Sequence, residues 1–167
     1  SHCLRKLEMN MKRLLLNGLV AISMVTSIGI LVPKAEATFT AATVSEAGVL
    51  RGGQDQYFEV TVEGEPLQRV RVQCVTFHRF SGLDVFVGDE QVTPDVHYGF
   101  EEFTLTFAAD IPDGETIRIV MKDSRVRGTI NEGIDVPYRV YGTYASLSDG
   151  EVPLGTAVIR TLGDGGR

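Results

Sequence analysis

Two cysteines, three histidines and no tryptophan in 167 residues leave little from which to build a metal centre or a disulfide framework. Basic residues are also few: 16 Lys and Arg stand against 22 Asp and Glu, for a formal net charge of -6. That balance argues against holding phosphate backbones or anionic lipid through a bulk field. The length excludes a large multidomain enzyme, the cysteine count a disulfide-stapled miniprotein, and the 43% hydrophobic content a disordered polyanion. No window of about twelve residues after Ala37 keeps a helical period, so helix is expected to be minor there. No internal repeat is present.

What is present begins with an address. Lys12 and Arg13 precede an apolar run from Leu14 to Val32, which ends at Pro33 before Ala35-Glu36-Ala37. A basic head, an apolar middle and small residues at a cut form a secretory signal, here a signal-peptide helix starting at Met11 after an upstream extension. Cleavage after Ala37 divides the chain into residues 1–37 and a domain of residues 38–167. The alternative is an uncleaved anchor, since the run approaches the roughly 20 residues that cross a bilayer. No cysteine stands at the cut, which disfavours a lipid anchor.

Removing residues 1–37 takes away five basic and two acidic side chains, leaving eleven against twenty and a net charge of -9 over 130 residues. Cys74 is then alone, so no intramolecular disulfide forms. Stability must come from a core, and a chain of this size buries roughly two-thirds of its unfolded surface.

Alternation dominates this domain. From Gln68 to Thr76, Val70, Val72 and Cys74 share one face and Arg69, Arg71 and Gln73 the other, the period of a half-buried strand. The same period puts Phe58, Val60 and Val62 inward over Tyr57 to Glu63. It does likewise for Phe103, Leu105 and Phe107, and for Ile117, Ile119 and Met121 over Glu115 to Lys122. Leu83 to Val87, Pro137 to Ala145 and Thr156 to Leu162 are further strands, with apolar residues on both faces. Turn clusters separate them: Arg51-Gly52-Gly53, Glu63-Gly64-Glu65-Pro66, Gly88-Asp89-Glu90, Pro112-Asp113-Gly114, Asn131-Glu132-Gly133 and Ser148-Asp149-Gly150. The pattern predicts an all-β fold, a single antiparallel β-sandwich of about seven or eight strands, with a barrel as the alternative.

Three stretches carry a resemblance: Gly64-Glu65-Pro66-Leu67-Gln68-Arg69-Val70, the strand-turn-strand from Phe103 through Pro112-Asp113-Gly114 to Lys122, and the Tyr-Gly-rich strand Tyr138 to Tyr144 leading to Gly150 and Gly155. They resemble a family of uncharacterised small secreted cyanobacterial proteins, a domain of unknown function. The resemblance implies an exported β-rich domain and offers no catalytic residues to carry over. The chain departs from the family in closing on Val158-Ile159-Arg160-Thr161-Leu162 rather than on an aromatic-rich strand.

The candidate chemistry is sparse. Cys74 alternates with Val70 and Val72 and is expected in the core, where a thiol behaves as a small hydrophobe. His78 and His97, with Asp84 or Asp95, match no zinc-ligand spacing. Ser81 near His78 lacks a nucleophile elbow. Asp89, Glu90 and Asp95 fall in one predicted loop and Asn131, Glu132 and Asp135 in another. Loops of oxygens suit weak extracellular calcium, though neither matches an EF-hand, and solvated turns are the plain alternative. Glu101 and Glu102 are adjacent at a strand start and point to opposite faces, poor geometry for a glycosidase pair.

Arg69, Arg71, Arg125 and Arg127 read as cross-strand partners for surplus acids, or as an anionic-polymer patch. Tyr141 opposes Tyr138 and Tyr144 and, set beside Phe86, would make an outward aromatic platform. These residues point to an exported, non-enzymatic β-sandwich of the periplasm, envelope or extracellular space that binds an envelope protein or a polysaccharide. No cofactor or nucleic acid is implied, and the membrane is met only through the transient signal segment. The alternative is a small-ligand or weak calcium-binding module using the loops at one end.

Overall fold

The computed structural model describes residues 39–50, 52, 54–74, 78–126, 133–147 and 150–163. The expected signal segment lies outside the described residues, as do Arg127, Asn131 and Glu132. Among those described are twelve strands and no helix. They are β1 (Thr43–Val49), β2 (Gln56–Thr61), β3 (Leu67–Cys74), β4 (His78–Arg79), β5 (Gly82–Val87) and β6 (Glu90–Val92). Then follow β7 (Asp95–Gly99), β8 (Glu102–Ile111), β9 (Thr116–Lys122), β10 (Arg125–Val126), β11 (Ile134–Tyr144) and β12 (Glu151–Thr161).

Two five-stranded antiparallel sheets result. Sheet 1 has the order β1-β2-β9-β5-β6, sheet 2 the order β12-β11-β3-β8-β7, and β10 with β4 forms a separate two-stranded ribbon. The sheets pack as a sandwich because each strand's apolar face turns inward. Phe58, Val60, Val85, Ile117, Ile119 and Met121 of sheet 1 share one buried cluster with Val70, Val72, Phe103, Leu105, Tyr138 and Val140 of sheet 2. Phe58 and Tyr138 stack across it with centroids 6.3 Å apart.

The fold exceeds the expected seven or eight strands because short and edge strands escape a period-two reading. The strongest alternations appear almost as predicted, as β2, β3, β8 and β9. Cys74 does not lie wholly in the core. It is the last residue of β3 and is half-buried, with its N–H bonded at 2.7 Å to the carbonyl of Glu101.

Two turn glycines show why the chain reverses where it does, and a third sits at a bulge. Gly88 has φ 58 and, with Asp89, forms the two-residue link between β5 and β6, since Val87 pairs with Glu90. Positive φ at the first turn residue suits glycine and matches the twist of a hairpin. Gly114 (φ 85) turns β8 into β9, and Gly155 (φ 134) makes a bulge in β12, where Val140 faces Gly155 but Tyr141 faces Pro153. The extra residue, Leu154, is buried.

One buried feature is polar. Gln56, Ser124 and Thr161 are all 0% exposed. The amide Nε2 of Gln56 donates to Thr161 Oγ1 at 2.8 Å, while its Oε1 accepts from Tyr138 OH at 2.9 Å and Ser124 Oγ at 3.2 Å. Burial, and then the neighbouring Cys74, push the Tyr138 phenol pKa up, so this hydroxyl enters the network as a neutral donor.

Candidate functional site

The outward faces are settled by ion pairs. On sheet 2, Arg71 forks onto Glu151 at 2.7 to 3.0 Å, reaches Glu102 at 3.0 Å, and lies 4.3 Å from the centre of the Tyr141 ring. Hydrogen bonds to Glu151 first, and to Glu102 after, raise its pKa further. On sheet 1, Arg118 pairs with Glu59 at 2.6 Å and lies over the Tyr57 ring. Arg125 lies 3.7 Å from Asp123 and Lys122 2.9 Å from Asp84. The cross-strand reading therefore holds for Arg71, whose bidentate geometry is worth on the order of 1 kcal/mol at this exposure. Arg69 has no ion-pair partner among the described residues.

The expected platform of Tyr141 with Phe86 does not form. Phe86 faces outward from β5 in sheet 1, cross-strand from Arg118, whereas Tyr141 faces outward from sheet 2. Two outer faces of one sandwich point in opposite directions. Tyr138 and Tyr144 are buried, as their alternation against Tyr141 predicts.

Asp89, Glu90 and Asp95 do not occupy one loop. Asp89 is in the tight β5–β6 turn, Glu90 opens β6 in sheet 1, and Asp95 opens β7 in sheet 2. Glu90 lines a groove of about 440 Å³ with Val87, Val92, Phe107 and Glu115. Among the described residues no three of His, Cys, Asp and Glu converge in the manner of a metal site. His97 faces outward opposite Thr104 on sheet 2. Ser81 gives both its N–H, at 2.8 Å, and its Oγ, at 3.3 Å, to the carbonyl of Lys122.

The exposed aromatics lie elsewhere. The β7–β8 hairpin turns through Phe100 and Glu101, and Phe100 is 84% exposed, Tyr98 56%. Tyr98 stands beside Phe80, centroids 6.1 Å apart, and Phe80 meets Phe103 edge-on at 5.5 Å. Together with Cys74, Arg79, Glu101, Glu102 and Tyr138 these rings line a cleft of about 240 Å³ at one end of the sandwich. Its walls are aromatic and its mouth is charged, so it can take an apolar group with a polar attachment. Sequence reasoning missed it, although Tyr98-Gly99-Phe100, with two rings around a glycine at a turn, was the signal that could have found it.

Glu101 holds the turn at φ 57, a left-handed conformation that costs a side-chain-bearing residue about 1–2 kcal/mol. Glycine there would remove that strain and add back some backbone entropy. Glu101→Gly is therefore expected to raise unfolding stability by about 0.5–1 kcal/mol, read from the denaturant midpoint. A lower midpoint would mean the Glu101 side chain holds the hairpin by contacts that outweigh its strain.

No family model and no curated protein matches the sequence. Similar solved structures include a pilin subunit, an adhesin domain and a subdomain of a surface protein. BcpA, the major pilin subunit of Bacillus cereus, is 12% identical with a TM-score of 0.44, over 72% of this chain and 39% of that one. The N-terminal domain of the Streptococcus gordonii adhesin Sgo0707 is 13% identical with a TM-score of 0.47, over 73% of this chain and 32% of that one. ACE19, the collagen binding subdomain of the Enterococcus faecalis surface protein ACE, is 8% identical with a TM-score of 0.46, over 75% of this chain and 100% of that one. The chain thus spans well under half of the first two. Likeness at this level says nothing of what is bound.

Proposed function

We propose that the protein is an exported, non-enzymatic contact module of the cell envelope, binding another protein or a surface polymer through the aromatic end of its sandwich. Export rests on the layout of Lys12, Arg13, the apolar run to Val32 and Ala35-Glu36-Ala37. The observation that carries the contact reading is Phe100, 84% exposed at a hairpin tip beside Tyr98 and an open aromatic cleft. A large ring held in water by a short turn gains about 1.5–3 kcal/mol when a partner covers it. The reading extends to the small secreted cyanobacterial proteins that the sequence resembles.

The test is binding of labelled full chain to isolated cell envelopes. The double substitution Tyr98→Ser with Phe100→Ser should weaken it by about tenfold or more, with the unfolding midpoint within about 0.5 kcal/mol of the parent. Equal binding by the parent and the double variant would reject the aromatic end as the contact.

A further inference from the structure

Sheet 2 ends at β7, and the register of its hairpin fixes which backbone groups face outward. With Phe100 and Glu101 as the two turn residues, Gly99 and Glu102 form the closing hydrogen-bonded pair. In an antiparallel ladder bonded and non-bonded pairs alternate, so His97 and Asp95 also bond to β8. Val96 and Tyr98 therefore turn their N–H and C=O away from the sheet, where neither has a backbone partner among the described residues. Their side chains point inward, opposite Leu105 and Phe103. Pro94 and Asp95 blunt the start of this edge, but Val96 to Gly99 include no proline, lysine, arginine or carboxylate, the usual guards of an edge strand. Sheet 1 offers no cover at this level, because β6 pairs only with Val85, Phe86 and Val87 and leaves the start of β5 at its edge.

We propose that this edge is a strand-addition site: an extended, basic segment of a partner protein pairs with Val96 and Tyr98 of β7 and seats one large apolar side chain in the aromatic cleft. The inference rests on the contact reading above and names its partner. A cleft of about 240 Å³ suits a single side chain, being smaller than the roughly 300 Å³ at which small-ligand pockets begin. The basic character follows from charge. Asp95 and Glu101, at the two ends of the exposed edge, have no ion-pair partner among the described residues, while Glu102 is already held by Arg71. Among the described residues Arg79 is the one cation lining the cleft, and it is itself engaged. An alternating basic and apolar strand would place its backbone on β7, its apolar side chain toward Phe80 and Phe103, and its cations in reach of the free carboxylates.

The probe is a labelled peptide, acetyl-Lys-Val-Lys-Phe-Lys-Val-Lys-amide, titrated against the full chain by fluorescence anisotropy. Saturable binding is expected, weakened about tenfold or more when Glu replaces each Lys and again when alternate peptide nitrogens are methylated. Val96→Pro removes one outward N–H and leaves the β8 ladder intact, and should weaken binding about tenfold. The methylated peptide keeps the test independent of how that variant folds. Binding indifferent to methylation, or no binding to the parent, would overturn strand addition. In either case, loss of envelope binding on Tyr98→Ser with Phe100→Ser would leave the contact reading standing. If that double variant keeps envelope binding, the contact reading fails whatever the peptide does.

Discussion

Gln56→Ala should lower unfolding stability by about 3–5 kcal/mol, more than most single substitutions. The reason lies in how few hydrogen-bond arrangements the site allows. Gln56 Oε1 has two lone pairs and three hydroxyls within reach: Tyr138 at 2.9 Å, Ser124 at 3.2 Å and Thr161 at 3.2 Å. Thr161 already accepts from Gln56 Nε2 at 2.8 Å and can give its own proton to the carbonyl of Ile159 at 3.2 Å. That leaves Tyr138 and Ser124 to fill both lone pairs of Oε1.

Truncation to alanine opens a cavity and removes the amide that the hydroxyls of Tyr138, Ser124 and Thr161 share, in a region where Gln56, Ser124 and Thr161 are 0% exposed. Tyr138→Phe is the calibrating control. It removes one donor and leaves Oε1 with Ser124, so about 1 kcal/mol is expected. Denaturant melts at unchanged m-value separate the two. Equal losses for the two variants would mean that the amide does not hold the network together.

The strands most legible in the sequence have one apolar face and run uninterrupted through a sheet. β2, β9, β3 and β8 qualify, and each lies between two neighbours. β1 was hidden because it is an edge strand with a register shift between Val44 and Glu46, so its apolar residues do not alternate. β6 and β7 escape a period-two reading because three and five residues, each run opening on an acid, carry too little period. β11 and β12 were predicted short for a chemical reason. Proline usually excludes a strand, yet Pro137 sits beyond the last pair with β3, Cys74 with Tyr138, and Pro153 sits on the edge strand β12.

The site was less legible than the fold because it belongs to no single segment. Phe80 arrives on the loop before β5, Phe103 from inside β8, Tyr98 from β7 and Cys74 from the end of β3. Local pattern reports which way a side chain faces. It does not report which strand ends share one end of a sandwich. The same limit misplaced Phe86 beside Tyr141: both were rightly read as outward, but sheet membership is set by long-range pairing. Cys74 was overburied for a related reason, since alternation predicts a face and not how close a residue lies to the sheet's rim.

Gly133→Ala should cost about 2–5 kcal/mol, although it adds a single methyl group. Gly133 has φ 70, and a Cβ built there would stand 2.7 Å from the carbonyl oxygen of Thr161 and 3.2 Å from its carbon. Gly142 is the instructive contrast. Its Cβ would meet Leu67 at 2.8 Å and Leu154 at 3.0 Å, but those are the ends of side chains that can turn aside. At Gly133 the obstacle is backbone, so relief requires the end of β12 to move. Thr161 is also the residue that receives the Gln56 amide, so that movement reaches the buried network. The two substitutions should therefore couple: Gly133→Ala with Gln56→Ala should destabilise by about 1 kcal/mol less than the sum of the singles, because the first already loosens what the second removes. Urea melts of the four proteins measure the cycle. Additivity within about 0.3 kcal/mol would show that Thr161 holds its place and the strain is absorbed at Gly133.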